Sequence, residues 1–124
     1  MKKVLIVDDD PDVCKFMKAK LEETKRFEVV IADDGWEAIR LAKSDKPDIV
    51  LCDIDMPDMD GVSVAEKLDA MSETKQIPLV FLSSLVTPKD AARGKPAGRW
   101  PMMSKQSPIP DIIRRIDDAL AKPL

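Results

Sequence analysis

Four apolar residues in a row, Ile49-Val-Leu-Cys52, stop abruptly at Asp53, and the chain then runs Ile54-Asp-Met-Pro-Asp-Met-Asp-Gly61. A run this short and continuous reads as a strand buried on both faces, the pattern of a parallel sheet with helices on either side. Asp53 then stands at the strand's carboxyl end. In open parallel sheets the crevice outside those ends is where ligands and chemistry are found. A carboxylate there is a metal ligand, a nucleophile, or both. Asp55, Asp58 and Asp60 crowd the loop before Gly61 turns the chain into a helical stretch from Val62 to Met71.

The same pattern recurs along the chain. Lys2–Val7 predicts a first strand, ending in Asp8-Asp9-Asp10. Pro11 suits the first position of a helix, with Asp10 as its cap and Asp12 in the first turn. Val13, Phe16, Met17 and Leu21 recur at helical spacing and predict one buried face. Capping accounts for Asp10 and Asp12, but not for both Asp8 and Asp9. Phe27–Ala32 predicts a second strand, and Asp33-Asp34-Gly35 leads into a helix with Ala38, Ile39 and Ala42 inward. Trp36 on that helix reads as a partly exposed packing residue, or as an anchor for a partner.

Pro47 introduces the central strand, and Val62, Val64, Ala65, Leu68 and Met71 of the next helix face the sheet. Pro78 opens a fourth strand, Leu79–Leu82, ending in Ser83-Ser84. Thr87–Gly94 predicts a short helix with only Ala91 and Ala92 to bury. Arg99–Met103 predicts the last strand, and Pro101 within it requires a sheet edge. Lys105 follows. Ile109, Ile112, Ile113, Ile116 and Leu120 then outline an amphipathic last helix to about Ala121. Strand and helix in alternation predict an α/β fold, a doubly wound parallel sheet covered by helices on both faces.

The bulk numbers exclude several classes. At 124 residues the chain reads as one domain, residues 1–124 with a core of about 2–121 and no output domain. No apolar run is long enough for a membrane span, and no signal peptide precedes the first strand, so the expectation is a cytoplasmic protein with no membrane association. Residues 1–60 carry 16 acids against 10 bases and residues 61–124 carry 7 against 10. No basic stripe combines with stacking aromatics, so nucleic-acid binding by this domain is not expected. Cys14 falls in a helix and Cys52 in a buried strand, which reads as two reduced core thiols. The absence of histidine removes Ser-His-Asp and Cys-His nucleophiles and every histidine metal site. Chemistry must therefore use carboxylates, hydroxyls, lysine and a metal.

Four strand ends carry such groups: Asp8 and Asp9, Asp53, Ser83, and Lys105. In a doubly wound sheet these ends meet at one rim. Three carboxylates there repel one another unless a cation is present, and an all-oxygen set favours a hard ion such as Mg²⁺. Adding a hydroxyl and an ammonium makes a phosphoryl-binding site, with Asp53 as the group that accepts the phosphoryl. Singly, an Asp at a strand end is more often a cap, and a Ser or Lys usually does nothing; five such residues at four matching ends are hard to obtain by chance.

Val4-Leu-Ile-Val-Asp-Asp-Asp-Pro11, Pro47-Asp-Ile-Val-Leu-Cys-Asp-Ile-Asp-Met-Pro-Asp-Met-Asp-Gly61, Pro78-Leu-Val-Phe-Leu-Ser-Ser84 and Lys105 together resemble the receiver domain of two-component response regulators, CheY-like in extent. The resemblance covers about Lys2 to Ala121. It implies a flavodoxin-like fold with strand order 2-1-3-4-5, which puts the last strand at an edge, as Pro101 independently requires. It also implies that Asp53 takes a phosphoryl group from a phosphohistidine on a sensor histidine kinase or phosphotransfer protein. Asp9 corresponds to a direct Mg²⁺ ligand, Asp8 to the acid that holds a metal-bound water, and the carbonyl of Asp55 to the third protein ligand beside Asp53. Ser83 and Lys105 correspond to the residues that contact the phosphoryl oxygens. Such a domain is no enzyme beyond its own phosphorylation and slow dephosphorylation, signals to a downstream protein, and is a monomer or a weak phosphorylation-linked dimer.

Three positions depart from the family pattern. Gln106 follows the lysine where the family usually has a proline, Met102 stands where it usually has Tyr or Phe, and Thr87–Gly94 is short for an output-face helix. These departures sustain a second reading, a receiver fold kept as a docking module without phosphorylation-driven switching. A third is a haloacid-dehalogenase-type phosphatase, whose order Asp-x-Asp, Ser/Thr, Lys is satisfied by Asp53, Asp55, Ser83 and Lys105. Those enzymes have a late acidic pair, however, and Asp117-Asp118 falls inside a helix here. A calcium-binding loop fails: with Gly61 as its glycine, Met56 and Lys67 occupy positions that need carboxylates.

Overall fold

The computed structural model describes residues 1–84 and 100–121. In chain order the elements are β1 (Lys2–Val7), α1 (Pro11–Glu23), β2 (Phe27–Ala32), α2 (Gly35–Asp45), β3 (Ile49–Asp53), α3 (Gly61–Asp69), β4 (Leu79–Ser83), β5 (Met102–Ser104) and α4 (Ile109–Ala121). The five strands form one parallel sheet in the order β2-β1-β3-β4-β5. This is the flavodoxin-like α/β arrangement, and β5 lies at an edge.

Alternation along each strand builds two cores. Val4, Ile6, Ile49, Leu51, Val80, Leu82 and Met103 turn to the face covered by α1 and α4. Leu5, Val7, Val50, Cys52, Leu79 and Phe81 turn to the face covered by α2 and α3. The three central strands are therefore apolar on both sides, as a continuous run without alternation requires. Asp10, Asp34 and Asp60 cap the first three helices by accepting from the N–H groups of Asp12, Glu37 and Ser63.

Several boundaries differ from the sequence reading. Phe16 is not in the buried face of α1 but 54% exposed. Cys14, Met17 and Leu21 form that face, with Val13 half-buried; at 100° per residue Phe16 falls to its side, where the Lys20 ammonium lies 5.9 Å from its ring centre. The last strand begins at Met102, not Arg99, and extends to Ser104. Pro101 has no N–H for the ladder and stays just outside, though its carbonyl accepts from the Phe81 N–H at 2.9 Å. The third helix starts at Gly61 and ends at Asp69, short of Met71. Trp36 is 63% exposed, with the Lys67 ammonium 5.6 Å over its ring. The predicted Thr87–Gly94 helix lies outside the described residues. No cis peptide occurs among the described residues, so the Lys105–Gln106 bond is trans.

Features of both sheet edges work against the addition of a further strand. β5 is only 3 residues long. The outward groups of β2 belong to alternate residues, and those of its central Val29 are taken by α1: Lys18 Nζ donates to the Val29 carbonyl at 3.2 Å and the Val29 N–H donates to Glu22 Oε2 at 3.1 Å. Any strand adding to this edge must displace that pair. Replacing both side chains, Lys18→Ala with Glu22→Ala, should lower stability by less than about 1 kcal/mol yet promote self-association, seen as a concentration-dependent rise in mass by sedimentation velocity.

Candidate functional site

The register of the sheet brings the acids together. Val7 on β1 pairs with Cys52 on β3, so Asp8 and Asp53, the next residues, leave adjacent strands side by side. Asp8 and Asp53 are buried, Asp53 being 3% exposed, and Asp9 beside them is open to solvent. Carboxylate oxygens of Asp8, Asp9 and Asp53 all lie within 4.8 Å of one another. Ser83 ends β4 as a buried residue, and its carbonyl accepts from the Lys105 N–H at 2.9 Å. That bond fixes the origin of the Lys105 side chain, which reaches back to the acids. Its ammonium stands 2.8 Å from Asp8 Oδ2 and 3.2 Å from Asp53 Oδ1.

Each carboxylate is further held by backbone. Asp8 Oδ1 accepts from the Asp10 N–H at 2.9 Å, and Asp53 Oδ1 from the Asp55 N–H at 3.3 Å. Asp55 thus enters through its peptide, and its exposed side chain is outside the carboxylate cluster. The sequence marked Cys14 only as a core thiol; in the structure that thiol donates to the Asp8 carbonyl at 3.4 Å and steadies the end of β1. Burial, then the Asp8 carboxylate, pushes the Cys14 thiol up to about 11, and burial raises Cys52 further. Both are free, protonated core thiols, as their positions in the sequence implied.

The electrostatics of the cluster favour a cation. Burial, then the neighbouring Asp8, raises the Asp53 carboxyl from 3.8 to about 6, and Lys105 opposes them. Burial alone would lower the Lys105 ammonium, but contact with Asp8 and then Asp53 outweighs it, and the net shift is upward. Among the described residues one ammonium faces the cluster of three carboxylates. Asp8 Oδ2 shows the deficit: it is buried, and apart from the Lys105 ammonium at 2.8 Å it has no donor among the described residues. An all-oxygen cluster with an under-satisfied buried acceptor fits a hard divalent ion such as Mg²⁺.

A raised carboxyl pKa means that the folded state binds the Asp53 proton more tightly than the unfolded chain. Below pH 4 both states are protonated and nothing is lost. As pH rises from about 4 to about 6 the unfolded state ionises first and the fold loses stability, by about 2–3 kcal/mol once both are ionised. Asp53→Asn should recover about that amount in EDTA at pH 7.5, and the gain should vanish below pH 4 in urea unfolding measured across the range.

Comparison with known proteins places this geometry. The family profile of the response regulator receiver domain matches residues 4–117. The chain is 36% identical over 120 residues to the transcriptional regulatory protein PrrA of Mycobacterium tuberculosis, covering 97% of this chain but 50% of that protein. It thus spans about half the length of that curated relative. It is 31% identical over 121 residues to protein PilH of Pseudomonas aeruginosa, covering 98% of this chain and 99% of PilH. Among solved structures it is similar to a putative response regulator from Chloroflexus aurantiacus, with a TM-score of 0.83, 26% identity and 98% of each chain covered. A parallel sheet in the order 2-1-3-4-5, with an acidic cluster at its carboxyl rim and a match over nearly the whole length, makes this chain a member of the response regulator receiver domain family, the signalling modules of two-component systems.

Proposed function

We propose that this receiver takes a phosphoryl group from the phosphohistidine of a sensor histidine kinase or phosphotransfer protein onto Asp53, and signals its arrival to a downstream protein. Residues 2–121 act as one receiver domain. The observation that carries the reading is the meeting of Asp8, Asp9 and Asp53 oxygens within 4.8 Å, with the Lys105 ammonium against two of those side chains. In this reading Asp8, Asp9, Asp53 and the Asp55 carbonyl would hold Mg²⁺, Asp8 by way of a water. Bound there, the ion offsets the negative charge of the incoming phosphoryl oxygens.

The chain's own groups do the rest. Both recorded contacts of the Asp53 carboxylate, with the Lys105 ammonium and the Asp55 N–H, fall on Oδ1. Oδ2 is then the oxygen offered to phosphorus. As it bonds, the phosphorus–nitrogen bond breaks and the donor histidine keeps the electron pair. Lys105 turns from the carboxylates to the phosphoryl oxygens, and the Ser83 hydroxyl at the end of β4 takes another. Asp53 titrates near 6, so at neutral pH it is ionised and ready.

With Mg²⁺ and acetyl phosphate, intact-mass spectrometry should show one added phosphoryl group, labile to base, and none in Asp53→Asn; label persisting in that variant removes Asp53 from the role. No turnover of a generic phosphate monoester is expected. Mg²⁺ should raise the unfolding temperature of the wild-type protein, whereas Asp9→Asn, which removes one of the three clustered carboxylates, should gain nothing from it in differential scanning calorimetry.

A further inference from the structure

The loop between Asp53 and α3 is anchored away from the carboxylates. Its ends are drawn together where the Gly61 N–H donates to the Ile54 carbonyl at 2.9 Å. A Cβ on Gly61 would strike the Asp53 carbonyl oxygen and lie 2.8 Å from Ile54 Cα, so the chain can close there only without a side chain. Between these ends Met56 and Met59 turn into the core beneath α2 and α3. Met59 is seated against Gly35, the first residue of α2. A Cβ on Gly35 would lie 2.8 Å from Met59 Sδ, 2.9 Å from Met59 Cβ and 2.9 Å from Val64 Cγ2.

These three contacts differ in what they allow. The thioether end of Met59 could swing aside at little cost. Its Cβ is fixed to the loop backbone and Val64 belongs to α3, so a methyl group at position 35 must move the loop itself. Asp55 lies in the same closed loop, and its N–H is the backbone group that holds Asp53 Oδ1. We infer that Gly35 is a positioning residue for the site at Asp53: by leaving room for Met59 it sets where the 54–60 loop lies, and hence where the Asp55 peptide stands beside the carboxylates. The inference rests on the reading of Asp8, Asp9, Asp53 and Asp55 as a metal-assisted phosphoacceptor site. Helix preference gives no competing reason for the glycine, because alanine favours a helix over glycine.

The test separates position from stability. Mg²⁺ affinity is measured by titration calorimetry, and metal-free stability by urea unfolding in EDTA, for the wild type, Gly35→Ala and Ala42→Gly. Ala42 is buried on the same helix and is not among the atoms that meet position 35. Gly35→Ala should weaken Mg²⁺ binding about ten-fold, the lower range for residues that orient a metal's ligands. Ala42→Gly should lose stability and keep wild-type affinity. Met59→Ala, which removes the prop without touching α2, should weaken Mg²⁺ binding as Gly35→Ala does. Wild-type affinity in Gly35→Ala, or in Met59→Ala should Gly35→Ala not fold, overturns the inference, and so does an equal loss in Ala42→Gly, since affinity would then follow stability. A wild-type protein that takes up no Mg²⁺ overturns the metal-site reading and this inference with it.

Discussion

Three carboxylates share one rim of this sheet, and two of them, Asp8 and Asp53, are buried. Like charges held this close in a low-dielectric setting raise each other's proton affinity, and Asp53 carries the consequence. Lys105 answers part of the charge. Because it touches Asp8 and Asp53 together, it cannot neutralise either fully, and the cluster stays short of positive charge. In the proposed function the site attracts a cation first and then, once its charge is offset, an anion. That order suits phosphoryl chemistry, in which a metal and an ammonium share the oxygens of the transferred group.

The fold tolerates the crowding because the acids are carried by its most firmly held strands. β1 and β3 sit at the centre of the sheet with apolar layers on both sides, and the parallel register aligns their ends. Flanking α/β crossovers keep those ends at one rim, so acids more than forty residues apart in sequence meet there. The core secures the strands, and the rim spends part of that stability on charge.

Much of this was legible in the sequence. A short apolar run that stops at an acid marks both a strand and its carboxyl end, and Pro101 demanded an edge that the strand order supplies. Asp10 was readable as a cap because the proline after it leaves few other roles. Other features were not legible, for identifiable reasons. Apolar spacing counts residues but not angles, so Phe16 entered the predicted face of α1 although its direction misses the sheet. The last strand slid towards Ser104 because hydrophobicity favours Trp100 and Met102, whereas pairing needs N–H groups, which Pro101 lacks. The reach of Lys105 to Asp8 depends on two strands that lie between β5 and β1 in space, and no local pattern encodes it. Gly35 read as a turn residue, because a tight contact with a loop twenty-four residues later leaves no trace in its neighbours.

The burden on Asp53 and the reactivity proposed for it have one origin. A carboxylate titrating at its ordinary value is a weak base and a poor nucleophile, stable but unreactive. Burial and the Asp8 charge lift Asp53 to about 6, which makes its oxygens more basic and destabilises the metal-free fold by the same amount of free energy. Unopposed, those influences would raise the carboxyl further. Lys105 limits the rise, so Asp53 remains ionised while its basicity stays well above that of an exposed aspartate. The lysine therefore serves the acid directly, and the role proposed for it at the phosphoryl oxygens would require only that the same ammonium follow the negative charge as it moves outward.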